Sequence, residues 1–169
     1  ILDAASFHHQ VQDAVYEPVE SEAAHAAINA HKNAEIDLAD HVLTVSELAR
    51  ESYIDGGVPE DNVTAVPMGV ELSDFCPPDP LRSPSGPCTF LFVGHAGRRK
   101  GVDTLLGASR RLWKGGVDHR LQFAGDADDG VFENEPPSTE RLGYLDREAL
   151  VAAMHQADIL VLPSRHDSF

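Results

Sequence analysis

A chain of 169 residues, 42% of them hydrophobic, has apolar surface enough for one core of ordinary size or for parts of two. Its formal charge of -15 at neutral pH, from 13 Lys and Arg against 28 Asp and Glu, opposes nonspecific binding to nucleic acid or to an anionic membrane. No apolar run approaches the roughly 18 residues of a transmembrane segment, and Ile1-Leu2-Asp3 opens with neither the charge nor the apolar core of a signal peptide.

A cytoplasmic protein, or one peripheral at a membrane, is therefore expected. The first residue is not Met and the last follows directly on an apolar run, so the expectation is a chain cut from something longer. Cys76 and Cys88 flank a Pro-rich stretch without a C-x-x-C pair, and the nine His fall into no H-E-x-x-H spacing. Reduced thiols, no protein-built metal site and no cofactor are expected.

Between Ser21 and Ala39 the chain is rich in Ala, Glu and His and lacks Gly and Pro, which favours a helix although its apolar stripe is irregular, with Pro18 near its start. "HVLTVS" then predicts a short buried strand, Ser46 an N-cap, "ELARESYID" a helix, Gly56-Gly57 its stop, and "NVTAVP" the next strand. "ELSDFCPPDPLRSPSGP" is dense in Pro and Ser and has neither period, so it predicts a linker, with a domain boundary over residues 76–87. Beyond it strand "TFLFV", a helix from about Val102 to Trp113, strand "RLQFAG", an irregular acidic loop, helix "REALVAAMHQ" and strand "DILVLP" alternate. This is the α/β pattern of a parallel, doubly wound sheet.

In such sheets ligands collect at the carboxyl ends of the strands. Three loops lie there: "GHAGRRKG", "GDADDG" and "PSRHDSF". In the first, Gly94, Gly97 and Gly101 permit a tight turn and close approach of a ligand, while the helix that follows offers free N–H groups and a favourable dipole to an anion. Arg98, Arg99 and Lys100 add full charges, a local exception in an acidic chain, and phosphate or pyrophosphate is the natural guest. A solvated basic turn balancing nearby Asp residues is the alternative. Lys100 is followed by Gly101 and not by Ser or Thr, which removes the nucleotide-hydrolysing P-loop, and the two-residue gap between Gly94 and Gly97 removes the dinucleotide fingerprint.

The segments "ADHVLTVSELARESYIDGGVPEDNVTAVPMGVELSDFCP", "FLFVGHAGRRKGVDTLLGA", "LQFAGDADDG" and "RLGYLDREALVAAMHQADILVLPSRHDSF", in this order and spacing, resemble the family-4 retaining glycosyltransferases of the GT-B fold. The resemblance implies two Rossmann-like domains. Residues 1–75 would be the end of the N-terminal, acceptor-side domain, 76–87 the linker, and 88–169 part of a truncated C-terminal, donor-binding domain. It also implies transfer of a sugar from a nucleotide-sugar donor, which is a substrate and not a cofactor, to a hydroxyl of a carbohydrate, lipid-linked or small-molecule acceptor, with retention and without a metal.

Carried over residue by residue, the resemblance gives Arg99 and Lys100 to the donor diphosphate, beside Gly94 and Arg98. Many family members have Arg where this chain has His95, so that either Arg98 supplies the missing charge, or His95 donates a hydrogen bond to phosphate, or His95 merely packs in the turn. Asp167 matches the first acidic residue of the family's paired-glutamate pattern and would accept from sugar hydroxyls, with helix N-cap as its plainer role. Its usual partner would lie beyond Phe169. The segment Ser6-Phe7-His8 resembles the one closing the N-terminal-domain sheet, which makes His8, with His9 as rival, the candidate facing the reacting sugar. Backbone near Gly143, Tyr144 and Leu145 would meet the nucleobase, with Gly125 and Asp126 on the same donor rim. A GT-B sugar-nucleotide epimerase and a noncatalytic nucleotide-sugar-binding module are the competing functions. The 169 residues alone are expected to be inactive in transfer and prone to associate.

Overall fold

The computed structural model describes residues 1–4, 8–10, 13, 21–77, 86–165 and 167; Ser6, Phe7, Pro18 and residues 78–85 of the expected linker lie outside the described residues. The chain divides into two units, Ile1–Val70 and Glu71–Arg165, with Asp167 grouping with the first.

In the first unit, strands β1 (Leu2–Ala4), β2 (Val42–Thr44) and β3 (Val63–Ala65) form a parallel sheet in that order, Leu2 lying opposite Val42 and Val42 opposite Val63. Helix α1 (Glu22–Leu38) connects to β2 and helix α2 (Glu47–Asp55) precedes β3. Strand β1 was not foreseen, because three residues are too few to show an alternation. Ser46 caps α2 as expected, its Oγ accepting from the Ala49 N–H at 3.1 Å. The core is small: Ala4, Val42, Tyr53 and Val63, with Leu2, Ile36 and Ile54 packed against it. Helix α1 has no fully buried residue and packs Ile36 against this core, so its Ala-rich composition and the Ser21 cap support it beside a narrow apolar contact.

Among the described residues of this unit two histidines, His8 and His9, are buried. The His8 N–H donates to Ser52 Oγ at 3.0 Å, and its ring meets Tyr53 edge-on at 5.3 Å and His9 at 4.4 Å. Burial above all, then the nearby His9 and Lys32 charges, holds the His8 pKa below its ordinary 6.5.

In the second unit, β4 (Cys88–Val93), β5 (His119–Ala124), β6 (Thr139–Gly143) and β7 (Ile159–Leu160) form a parallel sheet ordered β6-β5-β4-β7. β4 and β5 pair over six residues, from Cys88 opposite His119 to Val93 opposite Ala124. Helix α3 (Val102–Lys114) presents Val102, Leu105, Leu106 and Ser109 on one buried stripe at helical spacing. That stripe packs with Phe92, Ala96, Leu121 and Phe123 into one core, and the Phe92 and Phe123 rings lie 5.4 Å apart. Helix α4 (Arg147–Gln156), capped by Asp146, contacts β4.

Two details depart from expectation. Residues 139–143, read as part of an acidic loop, form the edge strand β6; "TERLG" carries two charges and no apolar alternation, so only its pairing with β5 makes it a strand. Leu72–Phe75, inside the Pro-rich stretch, is a 3-10 turn that packs on α4: the Arg147 guanidinium lies 5.6 Å above the Phe75 ring, and His155 Nε2 donates to the Cys76 carbonyl at 2.9 Å. Cys76 and Cys88 are not joined.

A buried polar cluster ties the amino end of β5 to α3. His119 Nδ1–H donates to the Val117 carbonyl at 2.9 Å, which leaves Nε2 to accept from Ser109 Oγ at 2.7 Å, while Ser138 Oγ lies 3.1 Å from both. No helix among the described residues is long and apolar enough to cross a membrane.

Phe92→Ala is expected to cost about 3–5 kcal/mol by the usual price of a large buried aromatic, read from urea unfolding followed by circular dichroism. The buried histidines set a pH dependence for the first unit. Because the folded His8 pKa lies below the unfolded value, this contribution is complete above pH 6.5 and declines as pH falls below it toward the folded value. Thermal melting from pH 7.5 to 5 should show that decline, and His8→Leu a shallower one; equal slopes would remove His8 as its source.

Candidate functional site

The hydrogen bonds that pair β4 with β5 do not stop where the strands do. Gly94 N–H donates to the Ala124 carbonyl at 2.9 Å, Ala96 N–H to Asp126 at 2.7 Å, and Asp128 N–H back to Ala96 at 3.0 Å. Gly125 N–H donates to the Gly143 carbonyl at 2.7 Å, which brings the loop after β6 into the same row. Gly125 has φ +127°, and a Cβ there would run into the Gly94 carbonyl oxygen, so only glycine lets the first two loops approach this closely.

These loops enclose a cleft of about 320 Å³ whose wall includes Gly94, His95, Gly125, Asp126, Tyr144 and Leu145. Gly94 and His95 were expected at the donor diphosphate and the other four at the nucleobase and donor rim, and the structure brings the six to one place. Tyr144 is 81% exposed at the rim. His95 Nε2 lies 2.7 Å from Asp128 Oδ1. While that nitrogen donates to the carboxylate, Nδ1 of the neutral ring can only accept, so His95 can donate to an anion only as imidazolium.

Beside the cleft, the basic turn leads into α3. Its last residue, Gly101, has φ +68° and is the α3 N-cap, and a Cβ on it would strike the Pro163 carbonyl. Gly101 N–H donates to the Arg98 carbonyl at 3.0 Å, closing the turn. Arg98 and Arg99 are exposed and Lys100 half-buried, at the amino end of a 13-residue helix where the dipole favours an anion.

Arg165 and Asp128 were not singled out from the sequence. The Arg165 guanidinium makes a two-pronged pair with Asp103, Nη1 to Oδ1 at 2.8 Å and Nη2 to Oδ2 at 2.7 Å, and also reaches the Arg98 carbonyl at 2.6 Å. The hydrogen bond from Arg165 holds the Asp103 carboxyl below its ordinary pKa. Both residues stand in loops at the carboxyl rim, and that placement is the signal that could have found them.

Asp167 is half-buried and groups with the first unit, and His8 lies in the first unit's interior, on the wall of a separate cavity of about 300 Å³. Neither is among the residues lining the cleft of the second unit. Among the described residues no group of three or more His, Cys, Asp or Glu side chains is placed to hold a metal ion.

The model of the family "Glycosyl transferases group 1" matches residues 87–169. Glycogen synthase of Mycobacterium tuberculosis is 30% identical over 115 residues, which is 63% of this chain and 27% of that protein. Sucrose-phosphate synthase (tll1590) from Thermosynechococcus elongatus superposes with a TM-score of 0.75 at 22% identity, over 99% of this chain and 45% of that one. Anabaena Alr3699/HepE in complex with UDP-glucose superposes with a TM-score of 0.60 at 15% identity, over 80% and 41%. At such identities the structural likeness establishes the fold, and the chain spans less than half the length of each of these relatives. Residues 87–169 thus match the glycosyl transferases group 1 model, and the parallel sheets and their order give the chain the GT-B fold of these solved structures over part of their length.

Proposed function

We propose that the protein is a glycosyltransferase that moves a sugar from a nucleoside-diphosphate-sugar to an acceptor hydroxyl, with retention and without a metal. The observation that carries this reading is the glycine-bearing basic turn, Arg98 to Lys100, set at the amino end of α3 and beside the cleft formed by the loops after β4, β5 and β6. The nucleobase would enter the cleft against Gly125, Tyr144 and Leu145, and the diphosphate would meet Gly94, Arg99 and Lys100. UDP is the first nucleotide to test, since the HepE structure named above was solved with UDP-glucose.

In the proposed step the bond from the sugar's anomeric carbon to the diphosphate oxygen breaks and a bond from the acceptor oxygen forms on the same face. The acceptor proton passes to the departing phosphate. The leaving group gains negative charge as it departs, and preorganised cations there lower the barrier by about 3–4 kcal/mol for a well-placed donor. Arg99 and Lys100 would serve that role. Asp167 would accept from hydroxyls of the donor sugar and His8 would face the reacting centre, in a donor-binding domain over 88–169 and an acceptor-side domain over 1–75. The acceptor is a carbohydrate, a lipid-linked or a small-molecule hydroxyl, and the setting cytoplasmic.

Lys100→Ala is expected to weaken UDP binding by about 1.5–3 kcal/mol, the range for a charged hydrogen bond, in isothermal titration calorimetry. Unchanged affinity would remove Lys100 from the donor site. NMR of the product formed from a labelled nucleotide-sugar tests the reaction itself: a glycoside with the donor's anomeric configuration is expected, and an epimerised sugar with no acceptor attached would instead indicate an epimerase.

A further inference from the structure

We propose that Arg165 is a positioning residue of the donor site: clamped on Asp103, it holds the turn carbonyls of Arg98 and Arg99 and so aims the amides of Arg99 and Lys100 at the diphosphate. The inference rests on the donor-site reading above and assigns a role to a residue outside it.

Two consecutive carbonyls of the basic turn face the loop after β7. Arg98 O accepts from Arg165 Nη1 at 2.6 Å, and Arg99 O accepts from the Arg165 backbone N–H at 2.9 Å. In a trans peptide the N–H points opposite to the C=O that precedes it. The N–H of Arg99 shares a peptide plane with Arg98 O, and that of Lys100 with Arg99 O. Both amides are thereby directed away from the Arg165 loop. Two successive amides presented on one side, next to a helix amino terminus, form a concavity suited to an anion.

The clamp needs a guanidinium. Nη1 donates to Arg98 O and Asp103 Oδ1, and Nη2 to Asp103 Oδ2 and to Thr104 Oγ1 at 3.2 Å. These four bonds commit all four Nη hydrogens, so Arg165 cannot grip phosphate through them without releasing the turn. A lysine at this position could keep the charge but not the planar fork that spans Asp103 and the carbonyl together. The Arg165 and Asp103 side chains are 36% and 59% exposed, and an ion pair so open to water adds little to stability. Its effect is on the geometry of the turn. Gly101 also lies close to the Pro163 carbonyl, so the same loop meets the same turn at its other end.

Calorimetric titration of the full chain with inorganic pyrophosphate and with UDP tests the assignment in wild type, Arg165→Lys, Arg165→Gln, Asp103→Asn and the Arg165→Gln/Asp103→Asn double variant. Both Arg165 variants are expected to lose roughly tenfold in affinity for each probe, at the low end for loss of a charged hydrogen bond, with the lysine giving no rescue. Asp103→Asn should weaken binding in the same direction, and the double variant should bind no more weakly than Arg165→Gln, the mark of one shared device. Ligand-free melting temperatures should stay near wild type; Asp103→Asn, which changes shape least, carries the test if Arg165→Gln melts early. Wild-type affinity in Arg165→Lys, additive losses in the double variant, or tighter binding in Asp103→Asn, as expected of an arginine freed to touch phosphate, would each overturn the positioning role alone. Failure of the wild-type chain to bind either probe would overturn the donor-site reading and this inference with it.

Discussion

The parallel pairing of β4 with β5 sets the geometry of everything at the carboxyl rim of the second unit. It is in register for six residues and is driven by burial of Phe92, Leu121 and Phe123. Because the same row of hydrogen bonds continues through Gly94, Ala96, Asp126 and Asp128, the two loops inherit the register of the strands. Ala96 is 1% exposed and belongs to the core, while its neighbours His95 and Gly97 belong to the turn. Packing in the core and the shape of the cleft are therefore one mechanical system, and a displaced Phe92 ring is felt two to four residues further on.

The basic turn sits in a chain with more than twice as many acids as bases. Unscreened carboxylates beside it would repel an anion and compete with it for the three cations. Two of the nearby acids have partners of their own: Asp128 is engaged by His95, and Asp103 by Arg165. Each partner lies outside the Arg98 to Lys100 run, so the acids are restrained locally without drawing on those three cations for these bonds. This distribution is how a chain of net charge -15 could accommodate the proposed phosphate site.

Sequence pattern was sufficient wherever one residue type determines local structure. Ser46 announced the start of α2, the apolar run at 89–93 announced β4, and the spacing of Val102, Leu105, Leu106 and Ser109 gives α3 its buried face. It was insufficient where partners distant in sequence determine the state. "TERLG" becomes β6 only because β5 offers an edge, and Leu72–Phe75 turns because Arg147 and His155 receive it. The rim residues Gly94, His95, Gly125 and Asp126 could be read from loops at strand ends, since topology alone gathers those loops, whereas Tyr144 and Leu145, behind the illegible strand β6, came only from the family resemblance. The rim loop of Arg165 could be read in the same way, but not its partners, because Asp103 and the Arg98 carbonyl lie more than sixty residues earlier.

The strand order has a consequence for synthesis on the ribosome. β4 is the first strand of its sheet to be made and lies in the interior, between β5 and β7. Its second edge is covered last, by a two-residue strand whose Ile159 and Leu160 remain about half exposed. Until β7 emerges, the uncharged, largely apolar run Thr89 to Val93 shows an unpaired backbone edge to its surroundings, the composition and geometry from which intermolecular strands grow. Nascent chains paused between β5 and β7 are thus the population on which a holding chaperone has most to act.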